Sequence, residues 1–356
     1  MILVANTSMF VIMRQAKKWP AALLLATSVF VCLLLSGCES EQPKIVSHQG
    51  MTMGTTFTVK WVSSQSPQSD TELNKLIDNT LVDINQSMST YIPDSELSIL
   101  NRTPAGEFLS VSEPLAHVLA LSKKISVETE GAFDNTVGPL VNLWGFGPDG
   151  RVVKMPLQSE LDSVRDRVGY DYVKIEGTQV VKQRQSYIDL SAIAKGYGVD
   201  VLAELLESHG IENYLVEIGG ELRARGLKPD GNEWRIAIES PTNAAERTIQ
   251  RIIAVKNVGI ATSGDYRNYF EEEGVRFSHT IDPVTGKPIN HKLVSVTVLM
   301  PTCAEADALA TAMMVMGPDK AFQFAQTHKL NVFLIVKTDT GFEEKMTPGF
   351  NEFMVQ

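Results

Sequence analysis

The sequence predicts an α+β fold, and three observations predict it. Helical and strand patterns come in runs more often than in alternation, which favours segregated elements over a doubly wound sheet. The change from mostly helical to mostly strand-like periodicity falls after one central segment, Ile188 to Asp200, reading IDLSAIAKGYGVD. A string with dinucleotide-binding spelling, Gly145-Phe146-Gly147-Pro148-Asp149-Gly150, has no strand leading in and no helix following, and its Pro-Asp-Gly is turn chemistry, so a Rossmann unit is set aside.

The elements follow in order. Thr56 to Val62 alternates as a strand, and Leu73, Leu76, Ile77, Leu81, Ile84 and Met88 mark an amphipathic helix. Ser95 caps a short helix, Ser112 with Pro114 opens one running toward Gly131, and Ser159 caps another ending near Gly169. Ser186-Tyr187-Ile188 favours extended backbone and runs into Asp189 and Ser191, whose oxygens suit a helix start. Ile193, Tyr197, Val201 and Leu205 recur every four residues up to Gly210, a left-handed stop. Strands then read over Tyr214 to Ile218, Glu221 to Arg225, Trp234 to Glu239, Ile252 to Ile260, Val275 to Thr280 and Val294 to Leu299. Helices read over Cys303 to Met316 and Pro318 to His328, and a late strand over Val332 to Val336.

Of 356 residues, 44% are hydrophobic and 21% charged, the profile of a globular chain able to bury one large core or two modest ones. The net charge of -10, with no basic cluster in the folded part, argues against nucleic acid as a partner. Residues 1–37 read as a signal peptide. Arg14, Lys17 and Lys18 form its basic start, Ala21 to Leu35 its apolar stretch, and Leu35-Ser36-Gly37-Cys38 resembles a bacterial lipobox. In that class of signal the chain is cut before the cysteine, so Cys38 is the expected lipidation site. The alternative is a transmembrane anchor, for which the apolar run is short. The expected product is anchored to a bacterial membrane and faces the periplasm, and Glu39 after Cys38 leans toward the outer membrane. Residues 38–49 are polar and aperiodic, a tether, and 50–356 form the domain. Only Cys303 then remains, which forbids an internal disulfide and suits a small buried hydrophobe.

Several stretches bear on chemistry. Lys195 falls near the first turn of the central helix, where unpaired N–H groups, the macrodipole and an ammonium together suit a phosphate. An ordinary strand-to-helix junction with a solvated lysine is the plainer reading. Met53-Gly54 before the first strand permits a close backbone approach or a bulge. Tyr91 between two helices is a core ring or a stacking platform. The run from Glu130 to Gly147 combines Ala132, Phe133, Asp134, Trp144 and Phe146 with glycines, either as a packed connection or as the wall of a pocket for a flat aromatic ligand. Gly219-Gly220 reads as a tight turn. Thr262 to Arg267 and Ser278 to Pro283 set polar groups at strand ends, where His279 suits a general base or a structural role. Asp307 and Thr311 lie one helical turn apart, hard oxygen donors that suit Mg²⁺ or simply a solvated polar face.

Taken together, MGTTF, MSTY with SEL, GAFDNTVGPLVNLWGFG, DLSAIAKGYGVD, IGGE, ATSGDYRNYF, HTIDPVTGKP and ADALATA stand in the order seen in the ApbE family, and the resemblance spans about Met51 to the C-terminus. That family comprises FAD:protein FMN transferases. The resemblance implies mixed sheets with flanking helices and an FAD cleft between two subregions. It implies that FAD is bound with Mg²⁺, its pyrophosphate split, and FMN passed to a threonine or serine of an acceptor protein with release of AMP. The implied acceptors are subunits of the sodium-pumping NADH:quinone reductase and of Rnf-type complexes. Implied FAD contacts are Met53, Tyr91, Ala132, Phe133, Asp134, Asp189, Lys195 and Ile281. Implied metal ligands are the backbone oxygen of Ala192 and the side chains of Asp307 and Thr311, with His279 as the base and a neighbouring carboxylate such as Asp282 as the alternative. Two rivals remain at this point: a Mg²⁺-dependent FAD pyrophosphatase giving FMN and AMP, and a non-catalytic FAD-binding lipoprotein.

Overall fold

The computed structural model describes residues 43–63, 68–147, 155–241, 248–264, 269–272 and 275–355. In chain order, β1 (Ile45–Thr52) and β2 (Thr55–Val62) form a hairpin, followed by α1 (Asp70–Met88), α2 (Glu96–Arg102), β3 (Phe108–Ser110) and α3 (Glu113–Glu128). Next come α4 (Gly138–Leu143), α5 (Gln158–Arg165), β4 (Val173–Glu176), β5 (Gln179–Lys182) and the central α6 (Ala194–Ser208). The strand-rich part holds β6 (Tyr214–Ile218), β7 (Glu221–Arg225), β8 (Trp234–Glu239), β9 (Ile249–Val255), β10 (Val258–Gly264), β11 (Tyr269–Glu272), β12 (Val275–Ser278), β13 (Ile281–Asp282), β14 (Lys287–Pro288) and β15 (Leu293–Met300). The chain closes with α7 (Cys303–Met316), α8 (Pro318–Thr327), β16 (Asn331–Lys337), β17 (Phe342–Met346) and α9 (Pro348–Asn351).

Eight strands form one sheet in the order β1-β2-β6-β7-β10-β15-β16-β17, antiparallel at every pairing. Period-two alternation buries both of its faces. In β16, Val332, Leu334 and Val336 pack with the helical core of α3 and α7, while Phe333 and Ile335 pack with Trp234, Ile236 and Phe350 from the β8–β9 hairpin and α9. This is a three-layer α+β arrangement, as the grouped patterns predict.

Local chemistry explains most of the boundaries. Ser69, Ser95, Ser112 and Thr302 each accept a backbone N–H in the first turn of the helix that follows, and Ser69 completes a capping box with Glu72. Five expectations change. Ser159 does not cap its helix: α5 begins at Gln158 with Leu157 at the N-cap, whose N–H is met by Glu160. Ile45–Thr52, expected to fall largely in the tether, is the edge strand β1; no residue before its last is buried, so its sequence carries little apolar signal. Met53 and Gly54 form the two-residue turn between β1 and β2, both at positive φ (49° and 72°), rather than a bulge. The single strand expected over Ile252 to Ile260 is two, β9 and β10, broken at Asn257 with φ 54°, and they belong to different sheets. Capping of α6 by Asp189 or Ser191 does not occur: its N-cap is Ile193, and Asp189 instead accepts from the N–H and hydroxyl of Ser191. The expected signal peptide and Cys38, together with Pro148-Asp149-Gly150 and Asp265-Tyr266-Arg267, lie outside the described residues. No described helix is long and apolar enough to cross a membrane.

Candidate active site

A cavity of about 1130 Å³ opens between the sheet and the loops around it. It brings together Tyr91, Ala132, Phe133, Asp134, Asp189, Ala192, Lys195, His279, Ile281, Asp307 and Thr311, which the sequence scatters over more than two hundred positions. Of the expected FAD contacts, Met53 alone stands outside the lining; its methyl carbon lies over Gly198 of α6.

One end of the cavity is charged and buried. α6 and α7 cross so closely that a Cβ on Gly196 would meet the Cys303 carbonyl oxygen at 2.5 Å, so only glycine admits the crossing. The Gly196 N–H donates to Asp307 Oδ2 at 3.0 Å, and Lys195 Nζ stands 3.6 Å from the same oxygen. The ammonium also pairs with Glu221 Oε1 at 2.9 Å. Burial opposes the charge on Lys195, but Asp307 and Glu221 outweigh it and raise the lysine above its ordinary value. Glu221 is pushed up to about 7, by burial first and then by Asp307, against the pull of Lys195. Its Oε2 is buried without a hydrogen-bond partner.

The start of α7 is fixed in turn by Asp200. Its carboxylate accepts from the N–H groups of Cys303 (3.0 Å) and Ala304 (2.8 Å) and from Arg223 at 2.9 Å. A carboxylate at a helix N-terminus is favoured by unpaired donors and by the macrodipole. Burial nevertheless raises the Asp200 carboxyl, opposed by those same donors. Asp307 is 3% exposed, so the solvated face that its spacing also allowed does not exist: α7 is buried nearly all round between the sheet, α3 and α6. Thr311, one turn on, places its hydroxyl 3.1 Å from that of Ser263 on β10.

The other end is built from loops and aromatic rings. Tyr91 is 67% exposed, so it is no core residue. Burial raises its hydroxyl and the charge of Asp189 raises it further. The Glu130 to Gly147 run is both things its composition allowed, a packed connection and a cavity wall. Asp134 Oδ1 accepts from the N–H and hydroxyl of Thr136 (2.8 and 2.6 Å), and its Oδ2 from the Tyr170 N–H at 2.9 Å, so this carboxylate ties loop to loop. Burial raises it in spite of those bonds. The Asn135 carbonyl accepts from the Asp189 N–H at 2.7 Å, which lays this wall beside the approach to α6. Trp144 donates from Nε1 to the Gly286 carbonyl at 2.9 Å and stacks on Phe277. His279 lies between β12 and β13 with its ring edge-on to Phe146, centroids 6.4 Å apart.

This geometry suits a ligand with a charged middle and a flat end. The helix start supplies less than expected, because Ala194 N–H donates to the Leu190 carbonyl and Gly196 N–H to Asp307. Positive character comes from Lys195. Sequence reading missed Glu221 and Asp200. The first follows a tight glycine turn and the second interrupts an apolar helical stripe, and a lone charge on a core-facing position was the available signal for both.

For a divalent cation, the residues present fit. Asp307 and Thr311 present hard oxygens one turn apart, both contacts to Asp307 use Oδ2 and leave Oδ1, and Ala192 lines the same cavity. Among the described residues no group of three or more His, Cys, Asp or Glu could hold a metal, so water and substrate oxygens would complete the shell, as Mg²⁺ prefers.

Residues 53–334 match the model of the ApbE family. The chain is 48% identical to an FAD:protein FMN transferase of Vibrio cholerae serotype O1 over 323 residues, covering 90% of this chain and 96% of that protein. It superposes on the flavin transferase ApbE from Vibrio cholerae with a TM-score of 0.81 at 46% identity, covering 88% of this chain and all of that one. The apo form of the Pseudomonas stutzeri flavinyl transferase ApbE gives 0.82 at 39% identity, covering 89% and 98%.

Proposed function

This chain belongs to the ApbE family, and we infer that it is an FAD:protein FMN transferase, with the cavity described above as its reaction site. The single observation that carries the site is the meeting of Lys195 and Asp307, 112 positions apart in sequence, at 3.6 Å within a cavity whose far wall is aromatic. The relatives' names favour transfer to protein over the pyrophosphatase and storage readings.

In the reaction, a serine or threonine hydroxyl oxygen of the acceptor bonds to the phosphorus on the FMN side. The bond from that phosphorus to the bridging oxygen breaks, and AMP leaves with the bridging oxygen. Lys195 supplies fixed positive charge to the diphosphate, where developing charge is met by a group already in place. Tyr91 and Phe146 offer ring surface to the tricyclic flavin, with Phe133 buried in the same wall. His279, which lines the cavity, would take the hydroxyl proton, a role worth on the order of 10²- to 10⁴-fold.

Mg²⁺ on Asp307, Thr311 and the Ala192 carbonyl would neutralise charge on the diphosphate. The charge balance supports it: six carboxylates line the cavity among the described residues against Lys195 and Arg235, a poor setting for an anionic substrate without a cation. The finer proposals rest on the sequence. Lipidation at Cys38 would hold the enzyme on a bacterial membrane facing the periplasm, and subunits of a sodium-pumping NADH:quinone reductase or Rnf-type complex would be its acceptors. The deciding experiment incubates the protein with FAD, Mg²⁺ and such an acceptor domain and weighs the products. FMN mass added to the acceptor is the expected result; free FMN with an unmodified acceptor would return the pyrophosphatase.

A further inference from the structure

We propose that Glu221 is a positioning residue that holds the Lys195 ammonium away from Asp307, keeping Asp307 open to a divalent cation while Lys195 is offered to the diphosphate. The proposal rests on the reading that Asp307 ligates such a cation.

The geometry is unequal. Lys195 Nζ makes a contact pair with Glu221 at 2.9 Å and is only a near neighbour of Asp307 at 3.6 Å. Both carboxylates are buried, with side chains 6% and 4% exposed, so water screens neither. Without Glu221, the one strong partner left to the ammonium is the carboxylate that the cation needs. A lysine in contact with Asp307 competes directly with a cation for its oxygens.

Glu221 is also delivered from a different layer. Lys195 and Asp307 ride on the crossed helices, whereas Glu221 is the first residue of β7, immediately after the Gly219-Gly220 turn. A Cβ on Gly219 would approach the Lys195 stem at 3.3 Å, and both glycines have positive φ (61° and 106°). The turn therefore brings the carboxylate in while leaving room for the lysine stem to pass.

The carboxylate is an expensive choice on stability grounds. Its Oε2 meets no donor although buried, and an unmet buried oxygen destabilises the fold. A glutamine or an apolar side chain would avoid part of that cost. What neither would provide is a negative charge competing with Asp307 for the ammonium.

The test is a double-mutant cycle read as Mn²⁺ affinity of the purified protein without FAD, by electron paramagnetic resonance of free Mn²⁺. Glu221→Gln is expected to weaken binding about 10- to 100-fold, the usual range for a residue that orients a metal ligand. In a Lys195→Met background the same change is expected to cause no loss, because the competitor is gone. Glu221→Asp, which keeps the charge, is expected to retain most of the affinity. Equal losses in both backgrounds would mean that Glu221 acts by its own field on the cation, and unchanged affinity in Glu221→Gln would mean that Lys195 does not compete. Loss shared by Glu221→Asp would mark a packing effect. Each of these three results overturns the proposal. Wild-type protein that binds no Mn²⁺ overturns instead the cation reading of Asp307 beneath it.

Discussion

The two ends of the cavity are held by different means. At the charged end, Asp307 is fixed by a main-chain N–H, its helix by the Asp200 carboxylate on two more, and the helix crossing by a glycine. At the aromatic end, Tyr91 stands two-thirds exposed and His279 sits in a loop beside Phe146. The difference matches the two tasks. Charge stabilisation works when dipoles and charges need no rearrangement, whereas a ring and then a protein hydroxyl must enter and leave.

The comparison breaks most severely at Asp200. Replacing it with alanine leaves two buried helix N–H groups without their acceptor and Arg223 with Glu207 alone, and a loss of about 3–5 kcal/mol is expected in urea unfolding. Next, Asp307→Asn keeps the side-chain shape but removes its charge, and should lower AMP release from FAD in Mg²⁺ by about 10²- to 10³-fold. His279→Asn tests the open end: FMN transfer to acceptor should fall by roughly 10²-fold, with FAD affinity little changed. Tyr91→Ala should weaken FAD binding by about tenfold, in line with the loss of one aromatic stacking partner, while thermal stability barely moves.

The smallest effect is a pH slope. Glu221 is raised in the folded state to about 7 from an ordinary 4.5. Its contribution to stability is therefore full below about pH 4.5 and is lost as pH rises through about 7. Without added cation, stability should fall as pH rises from about 5 to 8, and Glu221→Gln should flatten that slope. A slope that persists in the variant would assign it to other groups.

Much of the fold was legible where the chain uses side chains to start and stop elements. Apolar periodicity marks α1, serine caps mark α2 and α3, and Gly219-Gly220 marks its turn. What failed was set by neighbours. β1 hides in a polar stretch because an edge strand needs little apolar surface. The break at Asn257 is a change of sheet, which period-two alternation does not record. α7 looked half-solvated because a polar side chain met on a helix is usually outside; here the surrounding core makes Asp307 an interior charge. The cavity residues were found through the order of short segments, and their meeting could be read only from the folded chain.

Gly196 carries one more consequence. Since the crossing of the two helices is set where one backbone touches another, the spacing of the two main chains that carry the ammonium and the carboxylate has the tolerance of a machined joint, insensitive to the choice of any rotamer. The loops opposite are free to be recut for a different protein guest without disturbing that joint. Enlarging the glycine by a single methyl is the smallest alteration that would spring it.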